Sequence, residues 1–183
     1  MPRKPATRAR IEQFLAELGR LYKGAGRVYL VGGTVMVLQG YRTQTQDVDY
    51  TARIAPQDDQ DFVQAIVRLK RQLDLNIEEA SPGHFIPLPA GWEARSPFLG
   101  RYGQLEVFTF DPISTCLSKI ARGTGPDIDD VLALVQAGKV NRDGLIAAFQ
   151  EIMPRLERES VRVDEVDFRR KFDAFLALLA DRG

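Results

Sequence analysis

YLVGGTVMVLQGYRTQTQDVDY, residues 29–50, is the stretch from which the rest of the chain can be ordered. It continues a run of β-formers, Val28-Tyr29-Leu30-Val31, which predicts a short strand broken at Gly32-Gly33. Thr34 to Leu38 is apolar and fits a short helix ended by Gly40. After a polar stretch, Asp47-Val48-Asp49-Tyr50 alternates acid with apolar residue. On a strand this alternation sets both carboxylates on one face.

Carboxylates held side by side repel unless something positive lies between them. A divalent cation supplies that charge, and oxygen donors of this kind suit Mg2+ or Mn2+, with substrate phosphates completing the shell. Gly32 and Gly33 supply the other half of such a site. Lacking Cβ atoms, they let backbone N–H groups approach a phosphate, and the helix start that follows adds its positive dipole end. The alternative is a surface strand whose aspartates only solvate a sheet edge.

Gly-Gly after a strand, a spacer of about a dozen residues, then Asp-apolar-Asp-apolar resembles the hallmark of the polymerase-beta-like nucleotidyltransferase superfamily. Within it, Arg42-Thr43-Gln44-Thr45-Gln46-Asp47-Val48-Asp49 is similar to the bacterial minimal nucleotidyltransferases and the AbiEii-type toxins of toxin–antitoxin systems. The resemblance implies in-line attack of an acceptor hydroxyl on the α-phosphorus of a nucleoside triphosphate (NTP), releasing pyrophosphate. Asp47 and Asp49 would hold one or two Mg2+ or Mn2+, and Gly32, Gly33 and Thr34 would bind phosphates. Two other nucleotide sites fail on residues. A P-loop needs lysine after its glycines, and here Lys23 precedes them; a dinucleotide fingerprint needs a third glycine where the chain has Val35 and Met36.

Length and composition fit a compact enzyme without demanding one. The chain has 183 residues, 44% of them hydrophobic, enough for one sizeable domain or a domain with a helical appendage. Lys plus Arg and Asp plus Glu both number 25, so no overall basic field points to nucleic acid. A single cysteine excludes an internal disulfide framework or a cysteine-built zinc site and accords with a cytoplasmic setting. The basic start, MPRKPATRAR, leads into an amphipathic segment and reads as no secretory signal, and no apolar run approaches a membrane span.

In chain order, Met1 to Thr7 reads as a loose tail, its basic residues solvated or touching phosphates. Ile11, Phe14, Leu15, Leu18 and Leu21 predict a helix covering the sheet. Arg42, Thr43 and Thr45 lie between the short helix and the acidic strand, where triphosphate contact competes with turn chemistry. Pro56 to Asp59 starts a crossover helix that buries Phe62, Ile66, Val67 and Leu69. Residues 76–100, with four prolines, read as edge strands and turns. They hold the only His, His84, and the only Trp, Trp92; Arg95 is a further candidate phosphate contact. Residues 103–112 predict a strand with Glu106, Phe108 and Phe110 on one face. Glu106 is either a third metal carboxylate, as the superfamily often takes from a neighbouring strand, or a solvent-facing acid.

Asp111-Pro112 caps a helix on which Cys116 is a small core residue. Lys119-Ile-Ala-Arg122, followed by Asp127 and Asp130, is similar to the second motif of the AbiEii-like toxins, in which the lysine approaches the triphosphate and an acid completes the site. Against that, Asp127 suits a helix N-cap and Asp130 a first helical turn. Two further amphipathic helices, 141–156 and 164–181, close the chain. The expected fold is α+β: a nucleotidyltransferase core over residues 1–112, with a small mixed or antiparallel sheet, then a helical part over 113–183. Expected partners are an NTP, a hydroxyl acceptor such as a tRNA 3′ end or a protein, and a cognate antitoxin or toxin. The alternatives are a non-catalytic or antitoxin-like binding protein and an aminoglycoside-type small-molecule nucleotidyltransferase.

Overall fold

A computed structural model describes residues 3–160 and 162–181. The elements in order are β1 (Ala6–Thr7), α1 (Arg8–Leu21), β2 (Gly26–Leu30), α2 (Gly32–Leu38), β3 (Gln44–Thr45), β4 (Asp47–Ile54), α3 (Asp59–Gln72) and β5 (Asn76–Glu79). There follow α4 (Trp92–Arg95), β6 (Phe98–Tyr102), β7 (Leu105–Thr109), α5 (Pro112–Arg122), α6 (Gly125–Gln136), α7 (Arg142–Glu159) and α8 (Glu165–Ala180). The chain forms two compact units. One takes residues 1–80 and 96–110, the other residues 81–95 and 111–183.

The first unit is built on a mixed five-stranded sheet in the order β5-β4-β2-β7-β6, and the fold is α+β as expected. β2 runs antiparallel to β4 and parallel to β7, while β4 and β5 are parallel, joined through α3. A parallel pair needs such a crossover. Strand alternation divides the sheet into two faces. Val28, Leu30, Val48, Tyr50, Ile77, Leu105 and Val107 join Ile11, Phe14, Leu15 and Leu18 of α1 and Phe62, Ala65, Ile66 and Leu69 of α3 in one core. Val67 departs from the expected stripe: it is 44% exposed, and Ala65, one turn after Phe62, takes the buried position.

The N-terminal residues are tied down where a loose tail was expected, although Met1 and Pro2 lie outside the described residues. Ala6 pairs with Thr45 and Thr7 with Gln44 in a small antiparallel ribbon, and Ala6 is fully buried. Arg3 donates to the Leu75 carbonyl at 2.8 Å. Arg8 donates to the Leu38 carbonyl and Arg10 to those of Leu73 and Asp74. These arginines cap helix ends and loops, because carbonyls at a helix C-terminus have no partner within the helix.

The second unit is helical. Asp111 caps α5, accepting from the N–H groups of Ile113 and Ser114, and is held by both arms of Arg95 at 3.1 and 2.8 Å. Arg95 is thus engaged with a carboxylate, where a phosphate contact was expected. Asn141 and Asp164 cap α7 and α8, and Phe149 stacks on Phe172 with ring centroids 3.9 Å apart. Cys116 is fully buried on α5, and burial pushes its thiol well above the ordinary range. It is a core residue. No helix among the described residues is long and apolar enough to cross a membrane.

Candidate active site

Asp47 and Asp49 stand on β4 on the face away from the core, where period-two alternation puts them while Val48 and Tyr50 point inward. The parallel register with β5 sets Asn76 beside Asp47 and Glu78 beside Asp49. Carboxylate oxygens of Asp47, Asp49 and Glu78 all lie within 4.8 Å of one another. The Asn76 amide donates to Asp47 at 2.5 Å and to Glu78 at 2.6 Å, which offsets part of their repulsion.

β2 ends at Leu30, one residue short of Asp49, and α2 takes over as the neighbour of β4. The Val31 N–H donates to the Asp49 carbonyl at 3.0 Å. Thr34, fully buried on α2, then substitutes for the missing strand. Its hydroxyl accepts from the Asp49 N–H at 2.9 Å and donates to the Asp47 carbonyl at 3.4 Å. The Thr34 side chain is thus a strut that fixes the acidic strand.

Both glycines are required by close approach. Gly32 has φ +59, and a Cβ on it would stand 2.8 Å from Asp49 Oδ2. Gly33 lies under the Thr45 side chain, which a Cβ would strike, and beside Arg42 Nη1, 3.9 Å from that Cβ position. The structure therefore brings Gly32, Gly33, Thr34, Arg42, Thr45, Asp47 and Asp49 together, as their spacing predicts.

Glu106 is not brought to this group. It sits opposite Arg27 on β2, which in turn pairs with Arg53 on β4. Arg53 is four residues past Asp49, about 13 Å at 3.3 Å per residue. Glu106 is bound by Arg101 at 2.8 Å and Arg27 at 3.4 Å, and its hydrogen bond to Arg101, then that to Arg27, hold its carboxyl below the usual range. The third carboxylate at the aspartates is Glu78. The sequence reading passed over it because Asn76-Ile77-Glu78-Glu79 is only four residues long, and its tie to Asp49 is a matter of strand register. The one available signal was Ile77 between polar neighbours directly after the crossover helix.

Lys119, Arg122, Asp127 and Asp130 form a separate cluster within the helical unit. Lys119 is 4% exposed, with its ammonium 3.1 Å from Asp127 and 2.7 Å from Asp130. Arg122 meets Asp127 at 2.5 Å. Asp127 is not the helix cap, as one reading of the sequence had it. Thr124 caps α6, accepting from the Asp127 N–H at 3.3 Å, and its hydroxyl donates back to Asp127 Oδ2 at 2.8 Å. Burial raises the Asp127 pKa, but the Thr124 hydrogen bond, Lys119 and Arg122 outweigh it and the net shift is downward. Two cations and two anions satisfy one another here, which explains how Lys119, Asp127 and Asp130 tolerate burial, with Arg122 exposed at the edge of the cluster. His84 and Trp92 belong to the same unit, His84 exposed and Trp92 half-buried.

The donors at Asp47, Asp49 and Glu78 are all carboxylate oxygens, the chemistry of Mg2+ or Mn2+, and a cation about 2.0–2.6 Å from each oxygen spans their spacing. The residues present fit such an ion. A glycine-kinked strand-to-helix turn beside an acidic strand, on a mixed sheet backed by helices, is compatible with a nucleotidyltransferase-like fold. Residues 9–175 match the family described as "Nucleotidyltransferase of unknown function (DUF6036)", and the chain belongs to that family. It is accordingly an enzyme of the nucleotidyl-transfer class. The match supports that class and not the narrower polymerase-beta-like or AbiEii-type assignment. No curated protein and no solved structure matches the chain.

Proposed function

We propose that the chain transfers a nucleoside monophosphate from an NTP to an acceptor hydroxyl at the Gly32–Asp49–Glu78 site, with Mg2+ or Mn2+ held by Asp47, Asp49 and Glu78. The observation that carries this reading is the gathering of three carboxylates from two parallel strands against a left-handed glycine. A metal there would neutralise phosphate charge and lower the pKa of the attacking hydroxyl. Gly32 and Gly33 let Asp49, Thr45 and Arg42 close on the start of α2, whose first N–H groups, which no helix can pair internally, would meet the triphosphate. Arg42 and Thr45, over Gly33, supply a guanidinium and a hydroxyl for phosphate oxygens. Asn76 keeps Asp47 and Glu78 turned toward one another. The chain's share of catalysis is positioning and electrostatics.

Lys119, Arg122 and Asp127 enter as framework, since their charges are already matched within the helical unit. Motif likeness supports a tRNA 3′ end or a protein hydroxyl as the acceptor and a place for the chain in a toxin–antitoxin pair. The test is calorimetric titration of each of the four NTPs with and without Mg2+. It is run on wild type, on an Asp47→Asn/Asp49→Asn double variant, on Glu78→Gln and on Glu106→Gln. Metal-dependent binding lost in the first two variants and kept in Glu106→Gln is expected. Binding that ignores Glu78→Gln and fails in Glu106→Gln would overturn the assignment of the third carboxylate; binding by none of the four NTPs would overturn the reading altogether.

A further inference from the structure

β5 lies at one end of the sheet beside β4, is four residues long, and delivers Asn76 and Glu78 to the candidate site. A slip of one residue against β4 would turn Glu78 to the opposite face. The strand's own sequence resists such a slip weakly, because Ile77 is the single apolar residue in it. The carboxylates it helps to gather also repel one another. Contacts outside the strand therefore have to hold it in place.

Those contacts come from the N-terminal arm. Leu73-Asp74-Leu75 links α3 to β5, and Asp74, at φ +49, has the one left-handed backbone outside glycine among the described residues. Arginines from residues 3–10 take all three carbonyls of this turn. Arg10 Nη2 donates to Leu73 at 2.5 Å and to Asp74 at 3.2 Å, while its Nη1 donates to the Lys4 and Pro5 carbonyls at 2.9 and 2.8 Å. One planar guanidinium thus ties the arm to the turn. Arg3 donates to Leu75 at 2.8 Å. A cap for α3 would account for the bonds to Leu73 and Asp74, but not for Arg3, whose acceptor lies outside the helix and next to Asn76. The same arm also grips the other flank of β4. Ala6 and Thr7 pair with Thr45 and Gln44, and Arg8 donates to the Leu38 carbonyl at the end of α2.

We infer that residues 3–10 form a clasp for the candidate site, in which Arg3 and Arg10 are positioning residues that fix the start of β5 and so the place of Asn76 and Glu78 against Asp47 and Asp49. The segments it joins, 38–45 and 73–75, are distant in sequence and both border the acidic strand. Neither arginine touches a metal or a nucleotide in this role; each acts through the backbone that carries the third carboxylate. This rests on the assignment of Glu78 to the metal.

The test is Mn2+ affinity by electron paramagnetic resonance without NTP, together with amide hydrogen exchange over residues 73–80. It is run on wild type, Arg3→Ala, Arg10→Ala and Arg20→Ala, each with and without Glu78→Gln. Arg20→Ala removes an exposed arginine paired within α1 and should leave both readouts unchanged. Arg3→Ala and Arg10→Ala should each weaken Mn2+ binding about 10-fold, the low end of what outer-shell partners contribute. Residues 73–80 should then exchange faster while β7 keeps its protection. In the Glu78→Gln background the same substitutions should cost little further, because groups acting through one another are not additive. A general loss of stability would not produce that coupling. Circular dichroism verifies folding, and Arg3→Ala, which removes one bond, remains readable should Arg10→Ala unfold. Unchanged Mn2+ affinity in both arginine variants, or a loss that adds in full to that of Glu78→Gln, would overturn the inference. Wild type that binds no Mn2+ would overturn the metal assignment instead. Exchange over residues 73–80, which needs no metal, would then decide the clasp alone, and unchanged exchange would refute it.

Discussion

Replacing Thr34 by valine probes whether the acidic strand is held by the buried hydroxyl that succeeds β2. Valine keeps the shape, so no cavity opens, but the Asp49 N–H that now donates at 2.9 Å would face a methyl group. The bond to the Asp47 carbonyl is long at 3.4 Å and contributes little. Leaving one buried donor unpaired costs about 1–3 kcal/mol. For a chain of this length that lowers Tm by roughly 2–12 °C, taking about 2–4 °C per kcal/mol. The same hydroxyl fixes the two residues whose carboxylates are assigned to the metal, and outer-shell partners of that kind are worth about 10–100-fold in metal affinity. Mn2+ binding followed by electron paramagnetic resonance should weaken by that factor, and Thr34→Ser should restore both properties. A Thr34→Val protein with unchanged Tm and Mn2+ affinity would refute the strut assignment.

Gly32→Ala should weaken Mn2+ binding and cost about 1–2 kcal/mol, because it combines a left-handed backbone with a Cβ 2.8 Å from Asp49 Oδ2. Gly40→Ala, also left-handed but with nothing within 4 Å, should lose stability alone, and calorimetry with Mn2+ titration separates the two. Lys119→Met removes the buried ammonium that Asp127 and Asp130 share, and urea unfolding should show a loss of about 3–5 kcal/mol. Adding Asp127→Asn and Asp130→Asn should recover most of it. Asp127 is held below its ordinary pKa in the folded chain, so its contribution to stability is present above about pH 4 and is lost as pH falls through the depressed value. Wild type should therefore lose stability more steeply than Asp127→Asn in an acid titration followed by circular dichroism.

Much of the candidate site was legible because its logic is local. Gly32-Gly33 announces a tight strand-to-helix turn, and Asp47-Val48-Asp49 announces two carboxylates on one face, whatever the rest of the chain does. The helix caps at Asp111, Thr124, Asn141 and Asp164 are likewise short-range, and the one at Asp111 was read from the sequence. At α6 the sequence pointed to Asp127, and the backbone path gives the cap to Thr124, three residues earlier. Sequence placed Thr34 at the turn, but which way its hydroxyl points depends on where β2 ends relative to β4.

Glu78 and Glu106 mark the boundary between what sequence and structure determine. Composition, periodicity and turn residues by themselves established an α+β core, its helices, and the pair of aspartates, because each is a property of neighbouring residues. Which acid joins that pair depends on strand order and register, set by packing between residues about thirty positions apart. The α3 crossover lays β5 parallel beside β4 and delivers Glu78. The parallel pairing of β7 with β2 carries Glu106 to the arginines at the other end of the sheet. No pattern within either strand encodes that choice, since both present an acid on the same face. Only the tertiary structure decides it.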